Sequence, residues 1–254
     1  MRVTIVGCSG SFAGPASPAS CYLVQAEQEG RTWSIVLDIG AGALGALQRH
    51  IDPRSLDAVV LSHLHPDHCI DLCGLYVVQK YHPDGASPPL PVYGPTGSGK
   101  RMSEAYGLDD PHAMDTEFDY RDFVDRRPVV IGPFTVTPFA VNHPIEAYGV
   151  RVEADGAVLA YTGDTDVCDA LTPLMTGADL VLADSAFVEG RDTARGIHMN
   201  GAQCAQAAVA AGGVRRLMLT HIPAWNDPQV CRSQAAAHWP GAVELAEPDA
   251  TYAL

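Results

Sequence analysis

The densest chemistry of the chain lies in the stretch Ser62-His63-Leu64-His65-Pro66-Asp67-His68. The apolar run Ala58-Val59-Val60-Leu61 leads into it and predicts a buried strand. Side chains repeat every two residues in extended backbone, so His63 and His65 project to the same side at the strand's end. Pro66 forces a turn, and Asp67 falls at a predicted helix start, where a carboxylate is favoured. Asp67 and His68 therefore approach from a second direction. Three imidazoles and a carboxylate aimed at one small volume suit zinc, or iron or manganese. A His-rich surface turn is the simpler alternative. Four ligand-type residues within six positions, at the mouth of a buried strand, argue against it.

Other apolar runs end the same way. Phe134 to Val141 leads to Asn142-His143-Pro144, Val158 to Tyr161 to Thr162-Gly163-Asp164-Thr165, and Leu217 to Thr220 to His221-Ile222-Pro223. Leu180 to Ala183 ends on Asp184. Trp33 to Leu37 ends on Asp38, ahead of the glycine turn Gly40-Ala41-Gly42. Asp38 fits either of two roles, a carboxylate that accepts from a ligand histidine or one that merely faces a helix N-terminus.

The elements that must position these residues are legible as alternating strands and helices. Further strands are expected at Arg2 to Val6 and Cys21 to Gln25, and a hairpin joins Tyr148–Glu153 to Val158–Tyr161 through Asp155-Gly156. Helices are expected over Leu44–His50, Ile70–Tyr81, Lys100–Tyr106 and Gly201–Ala211, the last opened by an Asn200/Gln203 capping box. Asp109–Arg127 is polar and acidic, and reads as an irregular segment, either mobile at the surface or part of a subunit contact. Arg191–His198 reads as a mobile loop. Gly94-Pro95-Thr96-Gly97-Ser98-Gly99-Lys100 fits the start of a phosphate-binding loop, but Arg101 stands where Ser or Thr should hold magnesium, so nucleotide-triphosphate binding is not expected. No linker-like stretch interrupts residues 1–254, which are read as one domain. Ligand types at strand ends fit an α/β (α+β) four-layer αβ/βα sandwich with the site along one edge.

Composition narrows the partners. At 254 residues with 47% hydrophobic and 18% charged content, the chain is globular rather than disordered. Its formal net charge of −14 opposes non-specific attraction to nucleic acid, which needs clustered Lys and Arg. No secretory signal or membrane-spanning run is read. The seven cysteines are odd in number, scattered, and without a C-x-x-C pair, as expected of reduced thiols in a cytoplasmic protein.

The pattern H-x-H-x-D-H, together with His143, Asp164 and His221, resembles the metallo-β-lactamase fold, and the likeness runs from Val3 to His221. The resemblance implies two divalent metal ions, zinc foremost with manganese or iron as alternatives. It implies that His63, His65 and His143 hold the first ion, that Asp67, His68 and His221 hold the second, and that Asp164 bridges them. An aspartate rather than a cysteine at the bridging position, and a chain that stops about thirty residues after His221, resemble the phosphodiesterase branch, which includes the tRNA 3′-end nucleases. In that branch His198-Met199-Asn200 aligns with an H-S-T segment whose histidine contacts phosphate and acts as acid. Asp184-Ser185-Ala186-Phe187 aligns with H-E-A-T-F, departing from it by a shorter acid and by Ala183 in place of the histidine. That departure leaves the pairing of His198 with Asp184 open, and His198 remains acid, phosphate contact or solvated loop residue.

The tRNA nucleases carry a long RNA-binding arm between the residues matching His143 and Asp164, where this chain has one hairpin. Val6-Gly7-Cys8-Ser9-Gly10-Ser11, Gly42 to His50 and Thr220-His221-Ile222-Pro223-Ala224-Trp225 are similar to an actinobacterial group of atypical class II cyclic nucleotide phosphodiesterases. The resemblance thus implies hydrolysis of a small cyclic phosphodiester, cAMP foremost, with Asp67, His198 and Asp184 in the chemistry; a homodimer is expected, with no nucleic-acid polymer or membrane as partner. A ribosyl cyclic phosphate, precursor tRNA, or a non-catalytic protein on the same fold are the rival readings. Trp225 and Phe187 are candidates to stack on a base, or are core residues.

Overall fold

Unbroken apolar runs become strands buried on both faces, with neighbouring residues shared between two different cores. A computed structural model describes residues 1–254. One sheet has the order β14-β1-β2-β3-β4-β5-β6, built from β1 (Arg2–Gly7), β2 (Cys21–Gln28), β3 (Arg31–Leu37), β4 (Ala58–Val60), β5 (Leu90–Gly94), β6 (Phe118–Asp122) and β14 (Thr251–Ala253). The other has the order β13-β12-β11-β10-β9-β8-β7, from β7 (Val129–Ile131), β8 (Phe134–Ala140), β9 (Tyr148–Ala154), β10 (Ala157–Tyr161), β11 (Leu180–Asp184), β12 (Leu217–Thr220) and β13 (Val243–Leu245). Each sheet runs antiparallel across its first three pairings, counted from β14 or from β7, and parallel across the next three. The two halves are thus built on one pattern.

Period-two alternation distributes the side chains. Val3, Ile5, Tyr22, Val24, Ile35 and Leu37 meet Val136, Val150, Val152, Leu182 and Met218 between the sheets. Val6, Leu23, Val36, Val59 and Leu61 face outward onto α1 (Ala43–Leu47), α3 (Leu72–Tyr81) and α4 (Ser98–Tyr106), which follow the short α2 (Pro66–Cys69). On the far side, Ala160, Val181, Ala183, Leu217 and Leu219 pack under α5 (Leu171–Met175), α6 (Gly201–Ala211) and α7 (Pro228–Ala236). These are helix, sheet, sheet and helix layers, the expected αβ/βα sandwich. No helix is long and apolar enough to cross a membrane.

The expected capping box is present, Asn200 accepting from Gln203 N–H while the Gln203 side chain accepts from Asn200 N–H. All seven cysteines are free. Two local readings need correction. Asp109–Arg127 is not irregular throughout: its residues Phe118–Asp122 form β6, parallel to β5. Met114, Phe118 and Phe123 are buried, while Asp119 and Arg121 point to solvent from this edge strand. Helix α4 starts at Ser98, two residues before its expected start at Lys100, so Ser98 and Gly99 belong to the helix rather than to the loop leading into it.

Candidate metal centre

All the strand-end residues singled out above arrive at one edge of the sandwich, most of them beyond the carboxyl ends of the parallel strands, where α/β sheets gather their ligands. His63 follows β4, and His65 Nδ1 lies 3.0 Å from His63 Nε2 and 3.1 Å from His143 Nε2. The three ring nitrogens converge within hydrogen-bonding distance of one another. His143 Nδ1 donates to the Ile197 carbonyl at 2.9 Å, which leaves the Nε2 lone pair turned to the cluster.

A second cluster abuts the first. Helix α2 begins at Pro66 and presents Asp67 and His68 from its first turn. Asp67 Oδ2 lies 3.1 Å from His221 Nε2 and 3.3 Å from His68 Nε2, while His68 Nε2 and His221 Nε2 are 3.2 Å apart. Asp164 stands between the clusters. Its Oδ1 is 3.2 Å from His68 Nε2 and its Oδ2 is 3.7 Å from His63 Nε2. The Asp164 carboxylate is buried, yet Oδ1 has no hydrogen-bond donor.

An orphaned buried carboxylate oxygen costs free energy unless something positive meets it. Two neutral imidazoles with lone pairs turned together have the same need. Burial pushes the His221 imidazole down, but Asp164, Asp184 and Asp67 outweigh it and hold it raised to about 10. His68 is likewise raised against burial by Asp164 and Asp38. Burial opposes the ionised form of Asp67, yet His221 and His68 hold it well below the usual carboxylate range. The carboxylates of the second cluster therefore favour positive charge there, whereas burial lowers His63, His65 and His143 and favours their neutral, lone-pair-bearing form. The pocket's donor sets, three imidazoles in one cluster and two imidazoles with two carboxylates in the other, fit a divalent cation of the zinc, iron or manganese kind.

Asp38 settles between its two readings. Its Oδ2 accepts from His68 Nδ1 at 2.7 Å, from Tyr161 OH at 2.7 Å and from Ser62 Oγ at 2.8 Å, and its Oδ1 accepts from Ser62 N–H at 2.7 Å. It orients a histidine of the second cluster, the usual support of a metal-ligating imidazole. Asp38 (φ 60°), His221 (φ 56°) and Ser11 (φ 62°) all adopt left-handed backbone rare for non-glycine residues. Strain of this kind gathers where side chains must be aimed. Gly40 is required by close approach: a Cβ there would lie 1.9 Å from the Asp67 carbonyl oxygen.

His198 does reach Asp184. Its Nδ1 is 2.9 Å from Asp184 Oδ2, so the shorter acid at the end of β11 suffices. Burial pulls the His198 imidazole down, and Asp184 more than offsets it, leaving it raised. Asp184 is fully buried, accepts from Thr165 N–H and Ala186 N–H, and turns Oδ1 to His221 Nδ1 at 3.2 Å. It thereby ties the protonatable His198 to the second cluster. The segment Arg191–His198 is fastened rather than loose at its end, since Gly196 N–H donates to Asp166 Oδ2 at 2.8 Å and Ile197 accepts from His143.

Sequence reasoning missed several contributors. Tyr161 and Ser62 carry no signature beyond preceding a ligand residue. Ser11 N–H faces His221 Nε2 at 3.2 Å, and Phe12 packs on Trp225 with ring centroids 4.7 Å apart. Trp225 is no core residue, being 67% exposed. Phe187 meets His198 edge-on at 5.1 Å.

Comparison with known proteins agrees with this geometry. Residues 34–222 match the family model described as a beta-lactamase superfamily domain. The chain is 42% identical over 256 residues to the uncharacterized protein Rv1339 of Mycobacterium tuberculosis, covering 99% of this chain and 92% of that one. It is 28% identical to the probable metallo-hydrolase YhfI of Bacillus subtilis over 97% of each chain. The YhfI crystal structure superposes with a TM-score of 0.85, covering 99% of each chain. Ribonuclease Z of Mycobacterium bovis is 26% identical over 96% of this chain and 95% of its own. With a His/Asp centre of this form and a family model spanning most of its length, the chain belongs to the beta-lactamase superfamily of metal-dependent hydrolases with the metallo-β-lactamase fold.

Proposed function

We propose that this protein is a two-metal phosphodiesterase that opens 3′,5′-cyclic nucleotides, cAMP foremost, to 5′-monophosphates. The observation that carries the reading is Asp164, which turns one oxygen to each cluster beside the His198–Asp184 pair. His63, His65 and His143 would hold one ion, Asp67, His68 and His221 the other, and Asp164 both. Divalent ions there, zinc foremost, would supply positive charge to the phosphoryl oxygens and would acidify a water.

The chain's own residues do the rest. Asp184 fixes the His198 tautomer and supports its positive form. His198 then gives a proton to the 3′ oxygen as its bond to phosphorus breaks, a step an alkoxide needs. Tyr161 and Ser62, through Asp38, keep His68 from rotating. The net charge of −14 suits a compact substrate with one negative charge better than a polyanion. Only the hairpin β9–β10 lies between His143 and Asp164, which supports a small substrate over tRNA.

The test compares cAMP, a 2′,3′-cyclic nucleotide, a ribose 1,2-cyclic phosphate and a precursor tRNA on metal-loaded protein. The highest kcat/KM is expected with cAMP. A much higher value with the sugar phosphate or with the precursor tRNA would overturn the assignment.

A further inference from the structure

Beside His198 lies a cavity of about 210 Å³ that the metal clusters do not use, lined by Phe187, Arg191, Trp225 and His198 among others. Pockets for drug-sized ligands hold ~300–1,000 Å³, so this one suits a fragment such as a single planar base. One of its aromatic walls is exposed and the other half-buried. Trp225, backed by Phe12, stands in solvent, and Phe187 leans on the ring of His198.

Arg191 gives the cavity a polar edge. Its Nε and Nη2 bind Asp192 at 3.0 and 2.6 Å, and its Nη1 binds Asn226 Oδ1 at 2.8 Å. Both partners are themselves held, Asp192 by Val188 N–H and Asn226 by donating to the Ala186 carbonyl. A guanidinium has five N–H donors in a rigid fork. Three are engaged, and two remain for a ligand. Adenine and guanine both present the N7 acceptor on the edge that arginine reads in nucleic acids, and pyrimidines lack it.

We propose that Arg191 is a specificity-determining residue that donates to N7 of a purine stacked in the Phe187–Trp225 cavity, selecting purine over pyrimidine cyclic nucleotides. The inference rests on the cyclic nucleotide reading above and assigns the base-binding end of that site. Orientation is set before the base arrives, because Asp192 and Asn226 already fix the guanidinium. The stacked ring adds affinity that is insensitive to which purine is bound, since every base has a π-face. Guanine additionally offers O6, so cGMP is accepted with cAMP.

The experiment has two readouts on metal-loaded protein. In the first, kcat and KM are measured for cAMP, cCMP and base-free ribose 3,5-cyclic phosphate, with wild type, Arg191→Gln and Trp225→Ala. Wild type is expected to prefer cAMP to cCMP by about 10-fold or more in kcat/KM, the discrimination one good arginine–base contact supplies. Arg191→Gln should bring that ratio close to one, chiefly by raising KM for cAMP. Trp225→Ala should raise KM for both nucleotides. A fall of equal size on cAMP, cCMP and the base-free compound would mean that Arg191 only braces its loop, and would overturn the proposal. In the second readout, 5′-AMP is titrated while tryptophan fluorescence is followed. Quenching that disappears in Trp225→Phe supports the cavity even if cAMP is not hydrolysed, in which case the cyclic nucleotide reading alone fails. Absence of any quenching in wild type overturns the base site.

Discussion

Asp164→Asn is expected to lower kcat/KM on cAMP by at least about 10³-fold, beyond the 10–100-fold typical of losing a residue behind a ligand. The substitution keeps the shape of the side chain and removes its charge. An amide can turn an oxygen to one cluster only, and presents N–H groups to the other. Metal content should fall with activity, whereas far-UV circular dichroism should stay close to wild type because the sheets and their three cores do not depend on this side chain. Metal analysis and steady-state kinetics on the same preparation check both halves. A fully active Asp164→Asn enzyme would remove the bridging role.

His198→Ala is the second large effect, and its diagnostic is the leaving group. General acid–base groups contribute about 10²–10⁴-fold when a poor leaving group must be protonated. On cAMP the loss should fall in that range. On bis-p-nitrophenyl phosphate the departing nitrophenolate needs no proton, and the loss should stay below about 10-fold. Equal losses on the two substrates would show that His198 contacts phosphate or braces its loop without donating a proton. The 2.9 Å bond to Asp184 adds a corollary: Asp184→Asn should reproduce part of the leaving-group dependence, because the imidazole loses the carboxylate that supports its positive form.

Most of the metal-ligand types were legible because they stand at or just beyond the end of an apolar run. Strands buried on both faces read as continuous Val, Leu and Ala, and a histidine or aspartate at such an end has few structural uses. His63, His143, Asp164 and His221 follow that rule, His65 repeats His63 two residues on, Asp67 and His68 were legible from the helix start at Pro66, and all come together. Asp38 was half legible. A carboxylate before a glycine turn serves helix termini and histidines alike, and only the register of β3 beside β4 places it under His68. Tyr161 gave no signal, since its ring belongs to the inter-sheet core and only its hydroxyl reaches Asp38.

Polarity misled at the sheet edge. Phe118-Asp119-Tyr120-Arg121-Asp122 reads as acidic loop because an edge strand carries its charges outward, and pairing with β5 is invisible locally. Strands β13 and β14, three residues each, were not read at all, their pairing being settled by partners far along the chain. The pinned Arg191 escaped for a related reason: Asp192 beside it reads as one more charge in a polar loop, and Asn226, which holds its Nη1, lies 35 residues further along the chain.

The central claim is that two ions on these residues make a phosphodiesterase. Protein stripped with chelator and titrated with zinc, while cAMP is the substrate and 5′-AMP is quantified, tests it most directly. No turnover is expected in the stripped protein, followed by a rise to full activity that levels off at two ions per chain. Turnover in the stripped protein, a plateau at one ion, or a fully metallated protein inert toward every cyclic nucleotide would contradict it.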